Sequence, residues 1–225
     1  KQDLVDVRKK INQSLQIIIF LTIPMAIGLS ILSPNIWNVF YGVSDYGPKV
    51  YALYVFVSVA TVLFTSSITT VQILKDYKMV FIALITGFFT KFLLNIPLLY
   101  GFHTMGLPAY YGSISATIIG YLTATIISLM FLRRKYQVDY EETIKRFLDV
   151  LSAVMTMAIV LLLIKVFFPV QTTSKLINIL IIIIYTIIGG IIYLVITIKN
   201  GALQKIFGKE YLSKIKRKII KRGRA

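Results

Sequence analysis

MVFIALITGFFTKFLLNIPLLY, from Met79 to Tyr100, is the stretch that decides the fold. Its 22 residues are apolar apart from two threonines, Asn95 and the charged Lys91, and that length crosses the hydrocarbon core of a bilayer as a helix. Lys91 is about twelve residues into the stretch, which places it roughly 18 Å from the start of the helix at about 1.5 Å per residue. The sequence therefore predicts a membrane span with one cation deep inside it.

Lys91 has two interpretations. A lysine at such a depth costs about 2.5–3.5 kcal/mol of insertion free energy, so a reason for keeping it is needed. In the first interpretation its side chain snorkels part of the way towards headgroups or water. In the second it lines a polar cavity together with Asn95, which lies one turn further along the same helix face. Both interpretations remain open on the residues alone.

The composition places the whole chain in the membrane. Of its 225 residues 57% are hydrophobic, and five further apolar runs reach spanning length, which is typical of an all-α polytopic membrane protein. The chain has no cysteine and a single histidine, His103, so thiolate and histidine-rich metal sites are disfavoured. The net charge of +16 is spread beside the spans, and we therefore expect no nucleic-acid partner. The first residue is Lys1, and we expect a C-terminal portion of a longer protein.

Five segments are expected along the chain. The last is distinguished by ten Lys and Arg residues interleaved with an apolar residue at every fourth position, a pattern typical of a helix lying on an anionic membrane surface. The segments are an interfacial segment (1–14), four membrane-spanning helices (15–132), a charged connector (133–146), a further pair of membrane-spanning helices (147–198) and a basic amphipathic tail (199–225).

Two of the predicted spans carry periodic patterns. The second span, 50–74, has a stripe of polar residues at spacings of three and four, on one helix face: Ser58, Thr61, Thr65, Thr69 and Gln72. Hydroxyl groups in such a helix often bond their own i−4 carbonyl, so the stripe is either innocuous or lines a cavity. The fourth span has a small residue at every fourth position, which predicts close packing of another helix: Gly112, Ala116, Gly120, Ala124 and Ser128.

The distribution of the basic residues predicts the orientation. Of the 25 Lys and Arg, 21 lie on one side of the six spans, two on the other and two within spans. The positive-inside rule then places both ends of this chain in the cytoplasm.

Chemistry that requires buried acids is not supported by the sequence. All nine Asp and Glu residues fall in loops or at span ends, whereas a proton relay usually needs a carboxylate within a span. We expect no catalytic residue, no cofactor and no metal, and therefore not an enzyme. A membrane glycosyltransferase is disfavoured by the short outer loops. A non-transporting scaffold is disfavoured, though not excluded, by the polar stripes.

Two tracts resemble a known superfamily. TIPMAIGLSILSPNIWNVFYG (Thr22 to Gly42) and KFLLNIPLLYGFHTMGLPAYYGSISATIIGYL (Lys91 to Leu122) are similar to the Gly/Pro-spaced helices of polysaccharide exporters in the multidrug/oligosaccharidyl-lipid/polysaccharide (MOP) superfamily. The resemblance is to the group that contains stage V sporulation protein B and the lipid II flippases. It covers nearly the whole chain, and the 15–135 region carries it most clearly.

The resemblance implies a function. Such proteins have about fourteen helices in two lobes that rock around a central cavity. These six spans then correspond to the last six, and an N-terminal lobe of the same protein is missing here. The implied cargo is an anionic lipid-linked sugar, carried on undecaprenyl pyrophosphate from the inner to the outer leaflet of the plasma membrane. A cation-coupled multidrug exporter is the alternative.

The resemblance also suggests candidate site residues. The final helix pair would form a groove for the lipid tail, in contact with membrane lipids. The candidate substrate-binding residues that line the cavity are Lys91, Asn95, Gln72, Thr69 and Thr65.

Overall fold

A computed structural model of the protein describes residues 2–167 and 173–208, and every regular element in those ranges is an α-helix. Six of these helices are long and apolar enough to cross a membrane, which confirms the predicted all-α polytopic fold. The elements are α1 (Gln2–Ile31), α2 (Ser33–Tyr41), α3 (Gly47–Ile73), α4 (Tyr77–Thr104), α5 (Tyr110–Tyr136), α6 (Glu141–Phe167), α7 (Lys175–Lys199) and α8 (Ala202–Phe207).

The first helix is longer than the predicted span. Residues 2–14, expected as a separate interfacial segment, continue into the span as part of α1. No Pro or Gly interrupts this part of the sequence, and Ile11 and Leu15 bury one face of it. The helix ends at Ile31 because Pro34 lacks the N–H that would continue the hydrogen-bond ladder, and the short helix α2 follows. The predicted segments did not include α2.

Two apolar cores share α1. The first core contains Phe20 of α1 together with buried residues of α6, α7 and α8, such as Val154 and Ile206. The second contains Ile11 and Leu15, packed with buried residues of α3, α4 and α5 and with Val138 of the connector. Since both cores include residues of α1, this helix joins the two parts of the bundle.

The predicted close packing along α5 is confirmed. All five of its small residues are buried, and α5 packs against both α3 and α4. A Cβ added at Gly112 would lie 2.4 Å from backbone atoms of Leu98 and Leu99, and one at Gly120 would lie 2.9 Å from the carbonyl oxygen of Gly87. The backbones of α4 and α5 therefore approach to distances that only glycine permits at these two positions.

Polar groups join the elements at one end of the bundle, here named the terminal face, which carries the start of α1, the α3–α4 turn and the α5–α6 connector. Arg8 Nε donates to the Tyr136 carbonyl at 2.7 Å, and Asn12 Nδ2 donates to the Asp139 carbonyl at 2.8 Å. Thr143 Oγ1 donates to Asn12 Oδ1 at 2.7 Å. Only 137–140 of the expected 133–146 connector is non-helical, and these bonds fix it to α1.

Asp76 adds a second contact on the terminal face. Its carboxylate pairs with Lys135 and accepts a hydrogen bond from the Tyr136 hydroxyl at 2.6 Å. The hydrogen bond from Lys135, followed by the one from Tyr136, lowers the pKa of Asp76 below its usual 3.8. These two contacts of Asp76 tie the α3–α4 turn to the end of α5.

Tyr140, in the non-helical connector, is bound to α5 as well. Burial raises the pKa of Tyr140 to about 12, and its hydroxyl donates to the Leu129 carbonyl at 3.1 Å.

The start of the basic tail folds back onto the bundle. Ala202 and Ile206 of α8 are buried in the first core, and Leu203 and Phe207 pack against it. The rings of Phe207 and Phe20 meet edge to face with centroids 5.4 Å apart. Leu203 and Phe207 belong to the predicted apolar stripe of the tail, and in the structure they are half-buried against the first core. The remainder of that stripe, in 209–225, lies outside the described residues.

Candidate substrate cavity and lipid groove

Lys91 lines a cavity of about 280 Å³ between α3, α4 and α5. Small residues of α4 and α5 make the room for it, since Gly87, Gly120 and Ala124 form part of its wall. A Cβ added at Gly120 would lie 2.9 Å from the Lys91 Cβ, so the lysine stem lies directly over α5. Phe64, Phe88, Leu84, Thr117 and Tyr121 complete the lining.

Asn95 has a different environment from Lys91. Its Oδ1 accepts a hydrogen bond from Ser113 Oγ at 2.9 Å, which links α4 to α5. Among the described residues it is not part of the wall of the Lys91 cavity. The structure therefore gives Asn95 an interhelical bond one turn away from Lys91, and its predicted contact with substrate stays a prediction.

The polar stripe of the second span, now within α3, lies outside the Lys91 cavity. Thr65 Oγ1 donates to the Thr61 carbonyl at 2.8 Å, the i−4 bond that a helical hydroxyl often makes within its own helix. Thr65, Thr69 and Gln72 are exposed, and Phe64 is the side chain of α3 that lines the cavity. In the part of the chain described here, the stripe and Lys91 are not brought into one wall.

An apolar groove of about 340 Å³ runs between α1, α6 and α7. Its lining includes Gly28 of α1 and Gly189 and Gly190 of α7, and a Cβ added at Gly28 or Gly190 would meet nothing within 4 Å. The lining of the groove is almost entirely hydrocarbon. Tyr193 is one of its lining residues, and its hydroxyl is satisfied because it donates to the Phe20 carbonyl at 2.7 Å. Such a surface suits an aliphatic chain.

Sequence reasoning found the helix pair that supplies part of this groove but not its individual residues. The consecutive glycines at 189 and 190 were the available signal, because they leave a notch in a helix of Ile and Leu. The contribution of α1, including Pro24 and Met25, could not be read from the chain since it depends on how α1 meets α6 and α7.

These features define a class of protein. The chain is a multi-pass helical membrane protein that combines a cation-lined cavity with an apolar groove. The cavity offers a cation to an anionic group, and the groove offers an apolar surface to an aliphatic chain.

Comparison with known proteins gives the family. The profile described as "MurJ: Lipid II flippase MurJ" matches residues 1–183, and the chain belongs to this family. A curated relative from Bacillus subtilis (strain 168), "Lipid II flippase MurJ", is 30% identical over 208 residues. The match covers 89% of this chain and 37% of that relative, so the chain spans little more than a third of the relative's length. No solved structure matches.

Proposed function

We propose that this chain is the C-terminal part of a flippase that moves an undecaprenyl-pyrophosphate-linked cell-wall precursor from the inner to the outer leaflet of the plasma membrane. The observation that carries the proposal is the apolar groove between α1, α6 and α7 in a chain of the lipid II flippase family. A polyprenyl chain is long and aliphatic, and because it already lies in hydrocarbon, the groove holds it by close van der Waals packing rather than by removing it from water.

The Lys91 cavity supports the same proposal. A pyrophosphate is anionic, and a lysine within a membrane span supplies a charge-assisted hydrogen bond where water is scarce. Lys91 is exposed to the cavity between α3, α4 and α5 and is the first candidate for headgroup contact. Asn95, Thr65, Thr69 and Gln72 are secondary candidates that would meet the headgroup only when another part of the transporter covers α3 and α4.

The proposed transporter is larger than this chain. Both ends of the chain lie in the cytoplasm in this proposal, following the basic residues, and an N-terminal lobe of the same protein is its partner. Alternating access requires two lobes that move against each other. Six spans without that lobe are expected not to translocate lipid.

The experiment uses the full-length protein in proteoliposomes with a fluorescent lipid-linked sugar. Gly190→Phe fills the groove, because position 190 faces open space, and it should slow flipping about tenfold, equivalent to about 1.4 kcal/mol of lost binding. Ile191→Phe places the same ring on an exposed position of α7 that does not line the groove, and it should leave the rate unchanged.

Two results would contradict the proposal. Wild-type protein that leaves the labelled lipid in its original leaflet would exclude the flippase activity. Equal rates for Gly190→Phe and Ile191→Phe would exclude the groove as the path of the chain, even if flipping occurs.

A further inference from the structure

Lys165 lies near the end of α6, where a sequence-based interpretation has its side chain snorkel towards the membrane surface. In the structure this side chain is half-buried and has a protein partner. Its Nζ donates to the carbonyl oxygen of Ile31 at 3.1 Å, at the break between α1 and α2. An ammonium group has three N–H donors, and the bond to Ile31 occupies one of them. The lysine is thus held at the opposite end of the bundle from the terminal face.

An open cavity of about 470 Å³, lined by both polar and apolar groups, adjoins this lysine. Three asparagines from α2 and α7 share its lining with Lys165, namely Asn35, Asn38 and Asn178. Asn35 Nδ2 donates to Asn178 Oδ1 at 2.7 Å, which fixes two of the amides across the helix pair. The volume is within the range of about 300–1,000 Å³ that is usual for ligand sites.

The charge at this cavity favours an anion. Within residues 2–167 and 173–208 no carboxylate forms an ion pair with Lys165. Asp45, in the loop after α2, is exposed and does not belong to the described lining. A lysine that lines an open cavity without a carboxylate partner is a favourable position for a phosphate or another anionic group.

The amides and the volume favour a sugar attached to that anion. A bare phosphate fills only part of a cavity of about 470 Å³. Amide groups both donate and accept hydrogen bonds, as the hydroxyls of a saccharide require. The cavity adjoins α2 and the starts of α3 and α7, so it is reached from the side opposite the terminal face.

We propose that this cavity binds an anionic saccharide, such as a sugar phosphate, on the outer side of the membrane. The side of the membrane and the lipid-linked source of the ligand rest on the proposed function. Lys165 contacts the anion, and the half-buried amides of Asn35 and Asn38 contact the sugar hydroxyls. Asn178 is buried, donates to the Ser174 carbonyl at 3.0 Å and holds Asn35 in place. The site is distinct from the Lys91 cavity, because the two have no lining residue in common.

The test measures binding of glucose 1-phosphate to the full-length protein in nanodiscs by saturation-transfer NMR. Lys165→Met should weaken binding about tenfold or more, which is about 1.4 kcal/mol, whereas Lys165→Arg should keep it within a few-fold. Lys175→Met removes a lysine that is exposed at the start of α7 and absent from the cavity lining, and it should have no effect. Glucose and inorganic phosphate should each bind more weakly than glucose 1-phosphate.

A second variant decides the result if Lys165→Met does not fold. Val43 lines the same cavity and is 75% exposed, so Val43→Trp fills the space without removing the bond from Lys165 to Ile31. It should abolish binding of glucose 1-phosphate. Wild-type affinity in Val43→Trp, or inorganic phosphate binding as tightly as the sugar phosphate, would overturn the proposal.

The source of the ligand is a separate arm of the same experiment. A polyprenyl-linked sugar phosphate in the nanodisc should compete with glucose 1-phosphate if the headgroup is lipid-borne, and its failure to compete overturns that source. Flipping by the wild type with no Lys165-dependent binding would overturn this inference and leave the proposed function intact. Lys165-dependent binding without flipping would do the reverse.

Discussion

Lys91 is the residue whose substitution separates the two interpretations of the long apolar stretch. With the cavity as a headgroup site, Lys91→Arg in the full-length protein should keep most activity because it keeps the charge. Lys91→Met should lose most of it, and Lys91→Glu should abolish it by placing an acid against an anionic headgroup. A complementation assay, with protein abundance measured in parallel, checks all three.

The snorkelling interpretation predicts the opposite result for one of these variants. Lys91→Met would then remove an insertion cost of about 2.5–3.5 kcal/mol and should be neutral or stabilising. A fully active Lys91→Met protein at normal abundance would therefore remove Lys91 from the proposed site.

Asp76 gives a prediction about pH. Its folded-state pKa is lowered by the hydrogen bonds from Lys135 and Tyr136. Its stabilising contribution is therefore fully present above the ordinary value of 3.8 and disappears as the pH falls through the lower folded-state pKa. Asp76→Asn should lower the melting temperature at neutral pH, and the difference from wild type should shrink under acid.

The control for this prediction removes a carboxylate at the other end of the bundle. Asp45 is exposed in the loop between α2 and α3, and Asp45→Asn should leave the melting temperature close to that of wild type. A difference between Asp76→Asn and wild type that stays constant down to the acid limit would show that the ion pair does not stabilise the fold.

At the scale of the element, the contact between α4 and α5 depends on a few glycines. Gly112→Ala places a Cβ 2.4 Å from the backbone of α4, which cannot move aside as a side chain can. We expect a destabilisation of about 1–3 kcal/mol, measured as a lower melting temperature in detergent. Gly101→Ala is the matched control, since the new Cβ meets nothing within 4 Å there and alanine favours a helix. Equal melting temperatures for the two variants would contradict the close approach.

The elements differ in how well the sequence predicted them. The six spans followed from length and hydropathy alone, and the close packing of α5 followed from a small residue at every fourth position. These are local patterns, repeated along one helix. The short helix α2 was not predicted. The contact between Lys165 and Ile31 was not predicted either, since the two residues are 134 positions apart in the sequence. No local pattern records such a contact.

The candidate site was predictable to the same extent. A cavity beside Lys91 was one of the two interpretations that a charge inside an apolar stretch left open. Its neighbours on α5, such as Gly120 and Thr117, depended on which helix packs against α4. The resemblance placed the polar stripe of α3 with Lys91. In the structure Thr65 bonds within its own helix, and the described lining of the Lys91 cavity does not include Thr65, Thr69 or Gln72.

At the scale of the whole molecule, the orientation is testable by labelling. Single cysteines at Ser44 and His103, both exposed at the end of the bundle opposite the terminal face, should react with an impermeant reagent added outside the cell. Cysteines at Tyr77 and Glu141, exposed on the terminal face, should react only after permeabilisation. This chain has no cysteine of its own, so labels on it report these positions alone. The reverse pattern at both pairs would invert the proposed topology.

The hydrogen bonds that tie α1 to the connector have a consequence for biosynthesis. Gln16 is buried, and its side-chain amide donates to Thr143, which is 127 residues later in the chain. At a translation rate of about 5–20 residues per second, roughly 6–25 seconds pass between the synthesis of these partners. During that interval the Gln16 amide lacks this partner. The Gln16 amide therefore needs a temporary hydrogen-bond partner until α6 emerges. Water, the insertion machinery or upstream helices of the same protein can supply it.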